Sequence, residues 1–356
     1  MSNQIVKRSG ILMIILVLFS SVSYSQFKNV DFLRSVPADG VKYLQSYISP
    51  WANAFGSGLS GGWYNTAKPH KLGGFDLTIS TSVGIVPTSA ETFDVSKIGM
   101  TSLTGTGMAP TIAGPSKDGP LLTYKSGGTT LASFNAPQGA DWRYIPVPTA
   151  QVGVGLPFGT ELKFRFIPKI KIKDGDVSLW GVGLLHSIMQ YIPGNKLTPF
   201  DLSLFAGYTK LQGDVPLGLK PDPSVNQAYV TYNSATSFNS QNLKIAVGSL
   251  NISAIGSVNL KIITFYAGLG YCKTQTTMSL SGNFPTPTAI LITPFVQYND
   301  SGVKKGSDFP AIDIKKFSGL RANVGFRLKL AVVTIHVDYT KAQYSVITTG
   351  LGISIR

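Results

Sequence analysis

Residues 333–340 read VTIHVDYT. Val333, Ile335, Val337 and Tyr339 fall on one parity, and Thr334, His336, Asp338 and Thr340 on the other. Successive strand side chains point to opposite faces, so this is a β-strand with one apolar and one polar face. What each face touches decides the fold. In a soluble sandwich the apolar face lies in the core. In a membrane barrel it meets lipid, and the polar face lines a lumen.

The pattern recurs along the chain. In ELKFRFIPKIKIK (161–173), Leu162, Phe164, Phe166, Ile170 and Ile172 alternate with Glu161, Lys163, Arg165, Lys169, Lys171 and Lys173. In FDLSLFAGYT (200–209), Phe200, Leu202, Leu204 and Tyr208 alternate with Asp201, Ser203, Gly207 and Thr209. In RANVGFRLKL (321–330), Val324, Phe326, Leu328 and Leu330 alternate with Arg321, Asn323, Arg327 and Lys329. No Asp, Glu, Lys or Arg falls on the apolar parity of these segments. A Lys or Arg facing lipid at the midplane costs about 2–4 kcal/mol, so a lipid-facing wall needs this purity.

Bulk composition agrees. The 356 residues include 38 Gly and 21 Pro, with only 13% charged, which suits strands and turns better than long helices. The single cysteine, Cys272, excludes an internal disulfide and any cysteine-based metal cluster. Lys7 and Arg8 precede the apolar run ILMIILVLF (11–19), and small residues lead to Ser23, Tyr24 and Ser25 before Gln26. That order marks residues 1–25 as a signal peptide. Without Lys7 and Arg8 the chain keeps 29 basic and 17 acidic residues, a net +12. The basic residues sit in strands rather than tails, which argues against nucleic acid. After Gln26 no apolar run reaches about 18 residues, so no transmembrane helix is coded. The expected destination is the cell outer membrane.

Residues 26–56 are predicted as a helical segment, either a short helix covering part of a core or a plug inside or beneath a barrel: Val41, Leu44, Ile48 and Trp51 repeat at helical spacing, Asp39 can cap the helix, and Pro50 should end it. Residues 57–356 are predicted as the barrel, with strands flanking a turn near Pro69 and Gly73. The Gly/Pro/Ser/Thr-rich stretch 87–144 reads as a long extracellular loop with one strand near 121–134. A tight turn is expected at 156–159, outer loops at 212–225 and 299–315, and a strand near 227–234. Even strand numbers and alternating short and long connections then give about 14 strands (12–14).

The stretch YLQSYISPWANAFGSGLSGGWYNTAKPHKLGGFDL and the ending FSGLRANVGFRLKL…HVDYTKAQYSVITTGLGISIR resemble an uncharacterised family of bacterial outer-membrane β-barrels, a domain of unknown function. That family is distantly similar to the long-chain fatty-acid transporter barrels, which have 14 strands and an N-terminal plug. The resemblance covers most of the chain after residue 25. It is sharpest in GGWYNTAKPHKLGG (61–74), read as a hairpin, and in the C-terminal hairpins. It implies fold and location and brings no active site. Arg356 stands where outer-membrane barrels usually end in an aromatic residue.

No catalytic constellation emerges. His70, His186 and His336 are far apart in sequence, and a metal site needs several ligands at local spacing. His336 and Asp338 share a strand face, but a hydrolase would also need a serine and an oxyanion site. The chain therefore reads as a non-enzyme without cofactor or metal. Candidate lumen-lining, ligand-binding residues are Glu161, Lys163, Arg165, Arg321, Asn323, Arg327, Lys329, His336 and Asp338, all assigned by parity. The basic ladder Lys163, Arg165, Lys169, Lys171 and Lys173 reads as pointing one way, towards an anionic ligand, lipopolysaccharide phosphates or solvent. Trp180, Tyr208, Tyr339 and Tyr344 are candidates for interfacial girdles. The expected function is a channel or transporter for a small hydrophobic or amphipathic ligand, with outer-membrane lipid and lipopolysaccharide around it. The alternative is a barrel whose outer loops dock a surface or secretion protein.

Overall fold

The computed structural model describes residues 37–126, 129–172, 175–193, 199–217, 230–231, 239–285, 289–292, 295–299, 303–306 and 311–355. The predicted signal peptide, Lys173 and most of 227–234 lie outside them. Ten antiparallel strands close into a barrel: β1 (Phe75–Ile85), β2 (Tyr144–Leu156), β3 (Thr160–Ile172), β4 (Gly175–Ser187), β5 (Phe200–Pro216), β6 (Asn242–Leu260), β7 (Ile263–Ser281), β8 (Ile312–Leu330), β9 (Val333–Lys341) and β10 (Val346–Ile355). Each strand pairs with its sequence neighbours, and β1 closes the ring on β10, Phe75 opposite Ile355. Closure leaves the barrel wall no open edge, so its ladder satisfies the backbone polar groups of the wall.

The expected parity holds, and its direction is inside out. Leu320, Leu269 and Phe166 on the apolar parity are 82%, 70% and 65% exposed. Arg165 and His336 on the polar parity are each 1% exposed. A soluble barrel buries the apolar set; here the polar set is enclosed and the apolar set forms the outer surface.

The strand count is ten, not 14, for three reasons. Residues 57–60 are helical, and 61–74, read as a hairpin, contain no strand. The stretch 87–144 forms small sheets of its own, including a hairpin of Leu121–Ser126 with Thr129–Asn135, rather than a wall strand. Strand β5 bonds directly to β6, so no strand lies between them in the wall, where one near 227–234 was expected. Short connections of residues 157–159, 261–262 and 331–332 lie at one end; the long 86–143, 217–241 and 282–311 connections lie at the other.

Helix α1 (Pro37–Ser60) runs inside the barrel. It begins at the long-loop end, where Asp39 meets Thr101, Ser102 and Leu103, and finishes where Ser60 meets Arg321 and Asn251 on the wall. Pro50 does not end it. Pro50 has no N–H for the Ser46 carbonyl, and the next carbonyl, Tyr47 O, accepts the Ile112 N–H at 3.0 Å from the loop layer. Packing against the barrel and its cap overrides the local break. Ile48 is buried, as are Tyr43 and Tyr47, while Val41, Leu44 and Trp51 pack at the margin of the same core. That core joins the helix to Val95, Leu103 and Leu122 of the 86–143 cap and to Met278, Ile312 and Ile314 of the wall. Close approach is sterically strict: a Cβ on Gly84 of β1 would lie 2.1 Å from the Ala54 carbonyl oxygen.

Candidate functional site

Below the helix, the chain threads the rest of the lumen as an irregular segment, residues 61–74, before turning into β1. Trp63, Tyr64, Thr66, Ala67 and His70 are buried. A Cβ on Gly155 of β2 would lie 2.0 Å from the Lys71 carbonyl oxygen, so the wall glycines make room for this segment.

Of the wall groups predicted to line the lumen, Lys329 stands at the rim and the other eight face inward; four of them, Glu161, Arg165, Asn323 and Arg327, hydrogen-bond this segment. Arg165 of β3 donates to the carbonyls of Leu59 at 2.8 Å and Gly61 at 2.6 Å, and to Gln151 Oε1 at 3.1 Å. Its guanidinium lies 3.7 Å from the Trp63 ring centroid. Arg321 of β8 donates to Ser60 O at 2.8 Å and to Thr340 Oγ1 at 3.1 Å. Strands β3 and β8 are five steps apart in a ring of ten, so the two arginines close on the helix C-terminus from opposite walls. The last turn of α1 has no basic residue of its own, and its terminal carbonyls carry partial negative charge. The barrel supplies the missing cations.

Further down, Asn323 Oδ1 accepts the Tyr64 hydroxyl at 2.7 Å, and Arg327 donates to Asn65 Oδ1 at 3.0 Å. Glu161 accepts both the His70 backbone N–H and Nδ1 at 2.9 Å. With Nδ1 as donor, Nε2 accepts the Ser354 hydroxyl at 3.0 Å. Lys163 donates to Glu161 and lies 3.7 Å from Asp76. His70, Asp76 and Glu161 place three potential metal-ligand atoms within 4.8 Å of one another, but Lys163 already supplies the cation there.

Asp338 accepts the Tyr266 hydroxyl at 3.1 Å, not a His336 nitrogen. Neither ring nitrogen of His336 has a hydrogen-bond partner among the described residues, so no serine completes a triad there. A Cβ on Gly350 would lie 2.2 Å from His336 Cε1, so the ring packs closely against β10 where only glycine leaves room. Lys329 is half-buried at the short-turn rim. The basic ladder is divided: a register shift between Ile167 and Ile170 leaves Lys163 and Arg165 luminal while Lys169 and Lys171 are exposed at the long-loop end. Trp180, Tyr208 and Tyr339 face outward, but Tyr344 is buried against Phe317, with ring centroids 5.5 Å apart. Asn251, which begins an Asn-Ile-Ser glycosylation pattern, is buried and donates to Ser60 O at 3.1 Å.

Parity did not identify the partners of these wall groups. Asp76 sits on the polar parity of β1 and was visible as such; His70, Tyr64, Asn65 and Trp63 lie in an aperiodic stretch with no strand or helix signal.

Comparison with curated proteins gives no match. Among solved structures the chain is similar to the attachment invasion locus protein Ail of Yersinia pestis in complex with the heparin analogue sucrose octasulfate, at 8% identity and TM-score 0.26, covering 80% of this chain and 99% of that one. It is similar to the translocator domain of the autotransporter NalP from Neisseria meningitidis, at 8% identity and TM-score 0.28, covering 86% and 93%. It is also similar to the copper transporter OprC, at 10% identity and TM-score 0.26, covering 80% and 43%. Residues 6–355 match a family of unknown function, DUF6588. The chain therefore belongs to the DUF6588 family.

Proposed function

We propose that the protein is an outer-membrane barrel acting as a conduit that its own N-terminal segment holds shut. One observation carries this reading. Glu161, Arg165, Arg321, Asn323 and Arg327 of the lumen wall are engaged by residues 59–70 of the same chain, through hydrogen bonds and a cation–π contact. Such polar contacts exchange readily for water or solute, and the apolar packing of Trp63, Tyr64 and Ala67 against Leu185, Phe205, Ile255 and Tyr266 adds to the hold. The apolar exterior suits lipid. Withdrawal of the segment frees a bore about as wide as the helix it held, roughly 10 Å. The luminal wall carries Lys163, Arg165, Arg321 and Arg327 against Asp76, Glu161 and Asp338, which favours an amphipathic or anionic solute over a purely hydrophobic one.

The test compares the full chain with a variant lacking residues 37–70 in planar lipid bilayers. The full chain is expected to be silent or to open briefly, and the variant to give a steady conductance. A deletion variant that inserts as a heat-modifiable barrel and passes no current refutes the proposal. The docking alternative draws on the ordered sheets of the 86–143 cap. It expects a stoichiometric partner after mild crosslinking and no conductance from either chain.

A further inference from the structure

Three strands carry the same outward pair: Tyr208 and Lys210 on β5, Tyr271 and Lys273 on β7, Tyr339 and Lys341 on β9. All three strands run towards the long-loop end. On β5 the outward residues below the pair are Phe200, Leu202, Leu204 and Ala206. Ten residues from Phe200 to Lys210, at about 3.3 Å each and a tilt near 40°, climb roughly 25 Å, the height of a barrel's apolar band. Trp180 of β4 joins the belt, its ring centroid 5.8 Å from that of Tyr208. The tyrosines thus mark the upper interface, and the lysines stand at headgroup level.

Between the first two pairs, β6 offers the small Ala246 and Gly248 above Leu250, opening a cleft of about 380 Å³ on the outer surface, lined by Tyr208, Lys210, Gly248, Leu250, Lys273 and Gln275. Gly248 leaves the floor open: a Cβ there would lie 2.9 Å from the Tyr208 hydroxyl and would turn that side chain aside. Lys210 pairs with Gly248 and Leu250 pairs with Lys273, so the two lysines flank the floor two strands apart. At about 4.8 Å per strand their four-carbon stems can close on one anion. Neither has a carboxylate within 4.0 Å among the described residues; Asp214 stands further up, opposite Lys244.

We propose that this cleft binds a phosphate group of a phosphorylated glycolipid in the outer leaflet, held by Lys210 and Lys273 over the Gly248 floor. The cleft opens sideways at interface level, where a lipid headgroup is the abundant anion, rather than into the lumen. The proposal rests on the membrane reading above.

Delipidated full-length protein in mild detergent is mixed with a bisphosphorylated diglucosamine glycolipid and examined by native mass spectrometry. A one-to-one adduct is expected. Lys210→Ala with Lys273→Ala, and separately Gly248→Leu, should each reduce it at least tenfold, while Lys341→Ala, outside the cleft, should not. The dephosphorylated glycolipid should not bind. Equal retention by the double variant, equal binding of the dephosphorylated lipid, or full competition by inorganic phosphate overturns the assignment. The same samples are reconstituted and washed with carbonate. Release of the wild-type chain overturns the membrane reading and the cleft together, whereas a retained chain that fails the binding tests overturns the cleft alone.

Discussion

Arg165→Met removes the guanidinium that holds the lower end of the helix while keeping most of the side-chain length. Of its three hydrogen bonds, the two to the N-terminal segment are each worth about 1.5–3 kcal/mol, and without them the Leu59 and Gly61 carbonyls lose their wall partner. The stacking on Trp63 goes with them. Relief of the buried charge offsets part of this, so the net cost falls at about 3–5 kcal/mol, close to the sum of the two lost bonds. Only the closed arrangement pays that cost, because an open lumen hydrates the arginine. At about 1.4 kcal/mol per decade, the open fraction should rise on the order of 10²–10³-fold. Single-channel recording of the reconstituted variant measures it directly. Arg165→Lys should fall between the two, since one ammonium cannot reproduce a forked contact to two carbonyls. Lys169→Met, at an exposed site, should match wild type. Wild-type open fraction in Arg165→Met that inserts normally refutes the clamp.

At the other end of the helix, burial pushes the Asp39 carboxyl up, but the N–H groups of Leu103, Ser102 and Thr101, together with Lys42, pull it further down, leaving it below its usual 3.8. A group depressed in the folded state stabilises fully above its unfolded value and loses that contribution as pH falls through the folded one. Opening should therefore increase as pH drops below 3.8, and Asp39→Asn should open more at neutral pH and flatten the acid response, both read as conductance against pH. Gly84→Val should force the helix off β1, costing at least the 1–3 kcal/mol usual for overpacking, seen as a lower transition temperature in heat-modifiability gels and a raised open fraction. Since α1 begins at the long-loop end, Lys42→Cys should react with an impermeant maleimide on intact cells, and Lys261→Cys, in a short turn, only after permeabilisation. The reverse labelling pattern contradicts the orientation.

Period-two alternation made the wall legible, because every strand has one face against the enclosed lumen. Lys163, Arg165, Arg321, Asn323, Arg327, His336 and Asp338 could be placed inside from parity alone. The helix was visible from Val41 to Trp51, but its extent was not: Pro50 looks terminal locally and is tolerated only because barrel and cap surround it. The strand total failed where strand-like composition served other ends, in the threaded 61–74 segment and in the small sheets over the mouth. Nor could parity reveal that the wall's charges meet the chain's own carbonyls, since that depends on where an aperiodic segment runs. The split ladder turned on a local register shift between Ile167 and Ile170, where Pro168 has no N–H to give the ladder, a break that strict alternation overlooks.

The central claim is that the apolar parity meets acyl chains. Nitroxide labels placed singly at Leu269, Leu320 and Val324 in reconstituted vesicles test it through paramagnetic accessibility. Labels at all three should collide freely with oxygen and scarcely with a water-soluble nickel complex. High accessibility to nickel at these positions, in a chain that has retained its barrel, contradicts the lipid-facing wall and the conduit built on it.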